Sequence, residues 1–197
     1  MVIFKSKCKL PTVFNYTYNS YIMSKTALIY SPVGGNVNYV TNKLGELIGN
    51  DKVEIIPVKE VEKGDLDKYD KVILLGSTVG TDHWSNEAVP DEWPGFFTKI
   101  KEISFEDKKV AIVGLGNSFL YPSHFVDGMA DLYKRLKKQN ANLLGSVDSE
   151  GYDFTDSEAV NEDGIFCGLP IDEDNEPELT SERLEKWIAI LKPDFEF

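Results

Sequence analysis

Short apolar runs without polar alternation recur along the chain, and three of them end in a loop that contains glycine. The runs are residues 27–30, 72–75 and 110–113, and the loops after them are residues 31–36, 76–80 and 114–117. Strands that are apolar on both faces are typical of a parallel sheet covered by helices, and such sheets bind ligands at the carboxyl ends of their strands. The pattern therefore predicts a binding site where these three loops meet.

Apolar residues at three- and four-residue spacing fill the segments between the strands. This spacing predicts helices over residues 37–48 and 125–136, together with a helix that opens at Pro94. A last helix is expected to be capped by Thr180 and to run to Leu191.

Two further strands complete the predicted sheet. One is an edge strand at residues 53–57, and the other begins at Leu143 and is interrupted by the acidic stretch 148–163 before apolar character resumes at residues 165–167. With right-handed crossovers, the alternation predicts an α/β fold. It is a doubly wound five-stranded parallel sheet of order 2-1-3-4-5, with helices on both faces and the fifth strand split by an insertion.

The chain has 197 residues and no linker-like segment, which favours one domain over residues 23–197. Residues 1–22 contain three lysines and no acidic residue. We expect them to be a disordered extension, or to precede a natural start at Met23, in preference to an organelle-targeting segment.

The formal net charge of −12 limits the classes of binding partner that we expect. Nucleic acids and anionic membrane surfaces are held by patches of Lys and Arg, so we expect neither, and the charge favours basic protein partners.

Cys8 and Cys167 have no metal-ligand or redox-pair spacing, and His83 and His124 have no third ligand near them. We therefore expect no metal. Two free cysteines suit a reducing compartment, so we expect the protein in the cytoplasm, and we expect it to be a monomer.

The loop that begins at Ser31 leads into a helix amino terminus, where free N–H groups favour a phosphate. It matches neither the P-loop nor the dinucleotide fingerprint. In the loop after the fourth strand, Gly-Leu-Gly at 114–116 is only a fragment of the dinucleotide fingerprint, and a structural turn explains it equally well. Tyr121, Trp84 and Trp93 lie on or near the other loops and suit a planar aromatic ligand, although packing is the commoner use of such side chains.

Several longer motifs resemble one family closely. They are Gly-Tyr-Asp-Phe at 151–154, Gly-Leu-Pro-Ile-Asp-Glu-Asp-Asn-Glu-Pro-Glu-Leu-Thr at 168–180, Glu-Arg-Leu-Glu-Lys-Trp at 182–187 and Gly-Leu-Gly-Asn-Ser-Phe-Leu-Tyr at 114–121. The chain resembles a long-chain flavodoxin from about residue 26 to residue 191. The resemblance implies a flavodoxin-like fold, bound FMN, and a carrier that shuttles low-potential electrons between partner reductases and oxidases without being an enzyme itself.

The resemblance also implies which residues bind the cofactor. Those in the phosphate loop are Ser31, Val33, Gly34, Gly35, Asn36 and Val37; those after the third strand are Thr78, Val79, Gly80 and Trp84; those after the fourth are Gly114, Leu115, Gly116, Asn117 and Tyr121. Tyr121 is expected to stack on the isoalloxazine ring, and Asn117 to lie at its pyrimidine edge.

The chain departs from the family pattern at two places. Pro32, Gly34 and Val37 stand where the phosphate loop of the family carries hydroxyl groups, so weaker or differently arranged phosphate binding is expected. The tryptophan that usually follows the third strand is replaced by Val79 in a direct alignment, or by Trp84 if an insertion is allowed.

Two alternatives to the carrier stay open at this point. One is an FMN-dependent NAD(P)H or quinone reductase on the same fold, for which the sequence offers no clear general acid. The other is a flavin-free adaptor, which the altered phosphate loop makes plausible. For the carrier, we expect basic-surfaced redox partners such as a flavodoxin reductase.

Overall fold

The computed structural model describes residues 25–62, 64–77, 92–101 and 105–197, apart from the side chains of residues 99 and 100. The expectation for residues 1–22 lies outside these described residues, so it stays a prediction.

The described chain alternates strands with helices. The strands are β1 Thr26–Ser31, β2 Val53–Pro57, β3 Lys71–Ser77, β4 Lys109–Leu115, β5 Asn142–Leu144, β6 Val147–Asp148, β7 Ile165–Phe166 and β8 Leu169–Ile171. The helices are α1 Gly35–Ile48, α2 Trp93–Ile100, α3 Asp127–Lys138 and α4 Pro177–Phe195, and two 3-10 turns lie at Val58–Glu60 and Asp65–Lys68.

The main sheet is parallel, with the order β2-β1-β3-β4-β5, which confirms the predicted topology. The fifth position is split: β5 pairs with β4 from Lys109, and β8 pairs with β4 from Val113 onward. Both halves run parallel to β4, so one strand position is shared by two segments of chain with the insertion between them.

The apolar residues 165–167 that follow the acidic stretch do not lie in the main sheet. Ile165 and Phe166 form β7, which pairs antiparallel with β6 inside the insertion, and the main sheet resumes only at β8. The Phe166 ring packs on those of Tyr152 and Phe154, at centroid distances of 5.3 Å each. Phe166 thus packs in an aromatic cluster of the insertion, which explains why apolar character resumes before the fifth strand does.

The core forms one layer on each face of the sheet. Alternate β3 residues point to opposite faces: Val72 joins the cluster beneath α2 and α3, whereas Ile73 joins the cluster beneath α1 and α4. Because both faces of the sheet are covered, residues 72–75 of β3 are all apolar, and the other unbroken apolar runs have the same origin.

Helix α4 begins earlier than predicted. Pro177 occupies the first turn, where its fixed φ suits a helix start and its missing N–H costs nothing, and Glu178 is the acidic residue of that turn. Thr180 lies inside the helix and is buried, and its hydroxyl donates to the Glu173 carboxylate instead of capping the backbone.

Among the described residues, no helix is long and apolar enough to cross a membrane.

Candidate functional site

The loops after β1, β3 and β4 start side by side at the carboxyl edge of the sheet. Ser31 pairs in register with Gly76, and Gly76 pairs with Gly114. Adjacent strands lie roughly 4.8 Å apart, so the first and third of these positions are separated by roughly 10 Å. The structure thus brings the predicted loops to one edge.

The loop after β1 gives α1 an open amino terminus. Gly34 and Gly35 adopt φ values of 116° and 53°, conformations that favour glycine, and a Cβ atom at either would meet nothing within 4 Å. No side chain of the described residues caps this helix, and residues 33–36 are exposed. The first-turn N–H groups and the helix dipole are therefore suited to an anion.

The side chains of this loop have other partners. The Ser31 hydroxyl is buried and donates to the Glu92 carboxylate at 2.9 Å, and the Asn36 amide donates to Asp174 at 2.7 Å. The Val37 side chain lies in the core. Any phosphate contact from this loop would consequently come mainly from main-chain N–H groups.

The glycines after β4 are required by packing. A Cβ atom at Gly114 would lie 2.7 Å from Cβ of Met129, and one at Gly116 would lie 2.9 Å from the main-chain nitrogen of Val126. Leu115 between them is buried in the core. This favours the structural-turn interpretation of residues 114–116, which leaves only main-chain groups to face a ligand.

The turn that follows exposes three large apolar side chains. Phe119, Leu120 and Tyr121 are 78%, 63% and 40% exposed. Asn117 shapes this turn, because its side-chain oxygen accepts the Leu120 N–H at 2.8 Å and its carbonyl accepts the Tyr121 N–H at 2.9 Å. Tyr121 therefore presents an accessible ring at the sheet edge, as stacking on a planar ligand requires.

The segment after β8 supports both loops, and sequence reasoning assigned none of its residues to the site. Asp172 is fully buried and accepts the main-chain N–H groups of Ser118 at 2.8 Å and Asn175 at 3.0 Å. Burial by itself would raise the pKa of Asp172, but these hydrogen bonds and that of the Asn175 amide outweigh it and lower the pKa. The sequence signal is an aspartate in a polar loop, because Asp side chains commonly accept main-chain N–H groups of residues that follow closely.

Comparison with known proteins identifies the family. The flavodoxin family model matches residues 28–187. Flavodoxin from Haemophilus influenzae is 34% identical over 165 residues, which is 84% of this chain and 92% of that protein. Flavodoxin from Trichodesmium erythraeum is also 34% identical, over 88% of this chain and 99% of that protein. The chain belongs to the flavodoxin family.

Solved flavodoxin structures share the architecture. Fusobacterium nucleatum flavodoxin bound to flavin mononucleotide gives a TM-score of 0.75 at 27% identity, over 88% of this chain and 99% of that one. Oxidised flavodoxin 1 from Bacillus cereus gives 0.58 at 21% identity, over 86% of this chain and 98% of that one, which shows the fold alone.

Most of the loop after β3 lies outside the described residues. Thr78, Val79, Gly80 and Trp84 lie outside the described residues, so the choice between Val79 and Trp84 stays a prediction. Trp93 is buried, with its ring perpendicular to that of Phe96 at a centroid distance of 5.6 Å, so it packs in the core, which is the commoner use of such a side chain.

Within the described ranges, no three potential metal ligands cluster together. Nδ1 of His124 forms a hydrogen bond with the carboxylate of Asp127 at 2.9 Å. Burial raises the pKa of the Cys167 thiol to about 11, so it is protonated at neutral pH. Cys8 and His83 lie outside the described residues.

Proposed function

We propose that this chain binds FMN at the carboxyl edge of its sheet and carries electrons between redox partners. One observation supports this most strongly: the open amino terminus of α1 and the exposed Tyr121 ring flank the same edge, and hydrogen bonds through Asp174 connect their loops. The arrangement fits a ligand with an anionic group at one end and a planar ring at the other. Flavodoxin relatives, one of them bound to flavin mononucleotide, support the same assignment.

The phosphate would be held by main-chain N–H groups of Val33, Gly34, Gly35, Asn36 and Val37. With hydroxyl groups missing at positions 32, 34 and 37, the helix terminus carries most of the interaction. The dipole term is worth typically about 0.3–1 kcal/mol, and up to about 2 kcal/mol in partly buried sites. We therefore expect FMN to bind more weakly than it would to a loop rich in Ser and Thr.

The ring would stack on Tyr121, with Asn117 near its pyrimidine edge and the main chain of residues 114–116 beside it. The loop of Thr78, Val79, Gly80 and Trp84 would cover the other side. When bound, FMN supplies a ring system that takes up and releases electrons. The protein's part is to position that ring and to set its electrostatic surroundings.

Those surroundings are acidic. Asp172 is buried and, with its lowered pKa, ionised at neutral pH, and Glu173, Asp174, Glu176 and Glu178 follow it in sequence. Carboxylates near the ring disfavour the extra negative charge of the reduced state, which lowers the reduction potential and makes the carrier a stronger donor. The exposed ones, Asp174 and Glu178, would steer a basic redox protein toward the ring in a fast, salt-sensitive encounter between monomers in the cytoplasm.

Stopped-flow spectroscopy separates a carrier from a reductase. The protein loaded with FMN is mixed anaerobically with NADPH, first alone and then with a flavodoxin reductase. The carrier should oxidise NADPH only in the presence of the reductase, at a rate that falls as the salt concentration rises. Rapid oxidation of NADPH by the protein alone would identify a flavin-dependent reductase, and a rate insensitive to salt would contradict electrostatic steering.

A further inference from the structure

One carboxylate joins the two halves of the candidate flavin site. Asp174 accepts the Asn36 amide at 2.7 Å with one oxygen and the Asn117 amide at 3.1 Å with the other. Asn36 is the second residue of α1, directly after the loop that follows β1, and Asn117 lies in the loop after β4. The two loops lie far apart in sequence, and this side chain connects them directly.

The turn that carries Asp174 is itself anchored in the core. Asp172 is fully buried at the end of β8 and holds the main chain of Asn175. The Asn175 amide in turn donates to Asp172 and, at 3.0 Å, to the side-chain oxygen of Asn117. Asp174 therefore projects from a fixed point on the sheet, which a bridging residue needs if it is to set the distance between two loops.

We propose that Asp174 is a positioning residue, which holds the phosphate loop and the Tyr121 loop in register so that the phosphate and the ring of FMN bind as one unit. The proposal rests on the proposed FMN function. With the bridge in place, ordering one half of the site also orders the other, so less conformational entropy is lost on binding. Without it, the two halves move independently and the phosphate contributes less to affinity.

Simple electrostatics predicts the opposite change in FMN affinity when Asp174 is replaced. The carboxylate of Asp174 lies at the amino end of α1, close to where the phosphate dianion is proposed to bind. If its charge dominated, removing it would relieve repulsion and tighten FMN binding. Positioning predicts weaker binding, so the direction of the change decides between the two effects.

The test measures dissociation constants for FMN and for riboflavin, which lacks the phosphate, by quenching of flavin fluorescence. The variants are Asp174→Ala, Asp174→Asn and the control Asp163→Ala, which removes the same charge from an exposed position in the insertion. Asp174→Ala should weaken FMN binding about tenfold, as the loss of a charge-assisted hydrogen bond would, and riboflavin binding by less. Asp174→Asn keeps one acceptor oxygen without the charge and should also weaken FMN binding, whereas Asp163→Ala should match the wild type.

Two failures are distinguishable. If the wild-type protein does not bind FMN, the proposed function fails. If it binds FMN and Asp174→Ala binds as tightly or more tightly, or loses affinity for FMN and riboflavin by the same factor, the positioning role is overturned. Urea unfolding of the flavin-free variants verifies that each is folded, which is expected because Asp174 is exposed.

Discussion

Replacement of Gly114 by alanine tests the close approach of α3 to β4 that shapes the Tyr121 loop. The added Cβ atom would lie 2.7 Å from Cβ of Met129 and 3.2 Å from its sulfur. The sulfur can move by rotation of the side chain, but Cβ is fixed to the backbone of α3. Relief therefore requires the helix itself to shift away from the sheet.

Such overpacking of a well-packed core typically costs about 1–3 kcal/mol. For a domain of this size, each kcal/mol lowers the unfolding temperature by about 2–4 °C. We expect Gly114→Ala to unfold about 4–8 °C below the wild type, which corresponds to the middle of that energy range.

The assay is thermal unfolding of the flavin-free proteins followed by circular dichroism, because bound ligand would stabilise the folded state by mass action. Gly95→Ala is the matched control: Gly95 lies in α2, and a Cβ atom there meets nothing within 4 Å. It should raise stability by up to about 1 kcal/mol through helix propensity. If Gly114→Ala unfolds at the wild-type temperature, the α3–β4 contact is not as close as described.

Three further predictions concern single side chains. Trp187→Phe removes the indole hydrogen bond to the Gly145 carbonyl at 2.7 Å and should lower the free energy of unfolding in urea by about 1–3 kcal/mol; an unchanged midpoint would contradict this. In a Cys8→Ser variant, the partly buried, high-pKa Cys167 thiol should resist a thiol reagent at pH 8 until denaturant is added, so rapid native-state labelling would refute its protection. Asp172→Asn should cost about 1–3 kcal/mol at pH 7. Because the folded-state pKa of Asp172 is lowered, its stabilisation is complete above the ordinary carboxyl pKa of about 3.9 and is lost as pH falls through the folded value. The gap between the two proteins should therefore narrow in acid, and a gap independent of pH would refute the argument.

Sequence reasoning succeeded where a residue's type reflects its burial. Runs such as 72–75 are apolar at every position because both faces of the sheet are covered, so the order of strands and the edge that carries the loops could be predicted. The resumption of the fifth strand could not, because Ile165 and Phe166 are as apolar as the β8 residues that take the strand position. Which run joins the sheet depends on tertiary contacts.

The site was predictable at the level of loops and much less so at the level of contacts. Ser31 and Asn36 carry suitable groups for a phosphate, but the fold gives those groups partners in Glu92 and Asp174. The bridge from Asp174 to Asn117 joins distant segments through polar side chains, and such contacts leave no periodic pattern in a sequence. Residue preference alone predicts Thr180 as a helix cap, because such a preference does not take the burial of the side chain into account.

Titration of the flavin-free protein with FMN, followed by quenching of flavin fluorescence, tests the central claim most directly. We expect saturation at one FMN per chain, with much weaker binding in a Tyr121→Ala variant because the stacking surface is lost. Failure of the wild-type protein to bind added FMN would contradict the electron-carrier account and leave a flavin-free adaptor as the function to test.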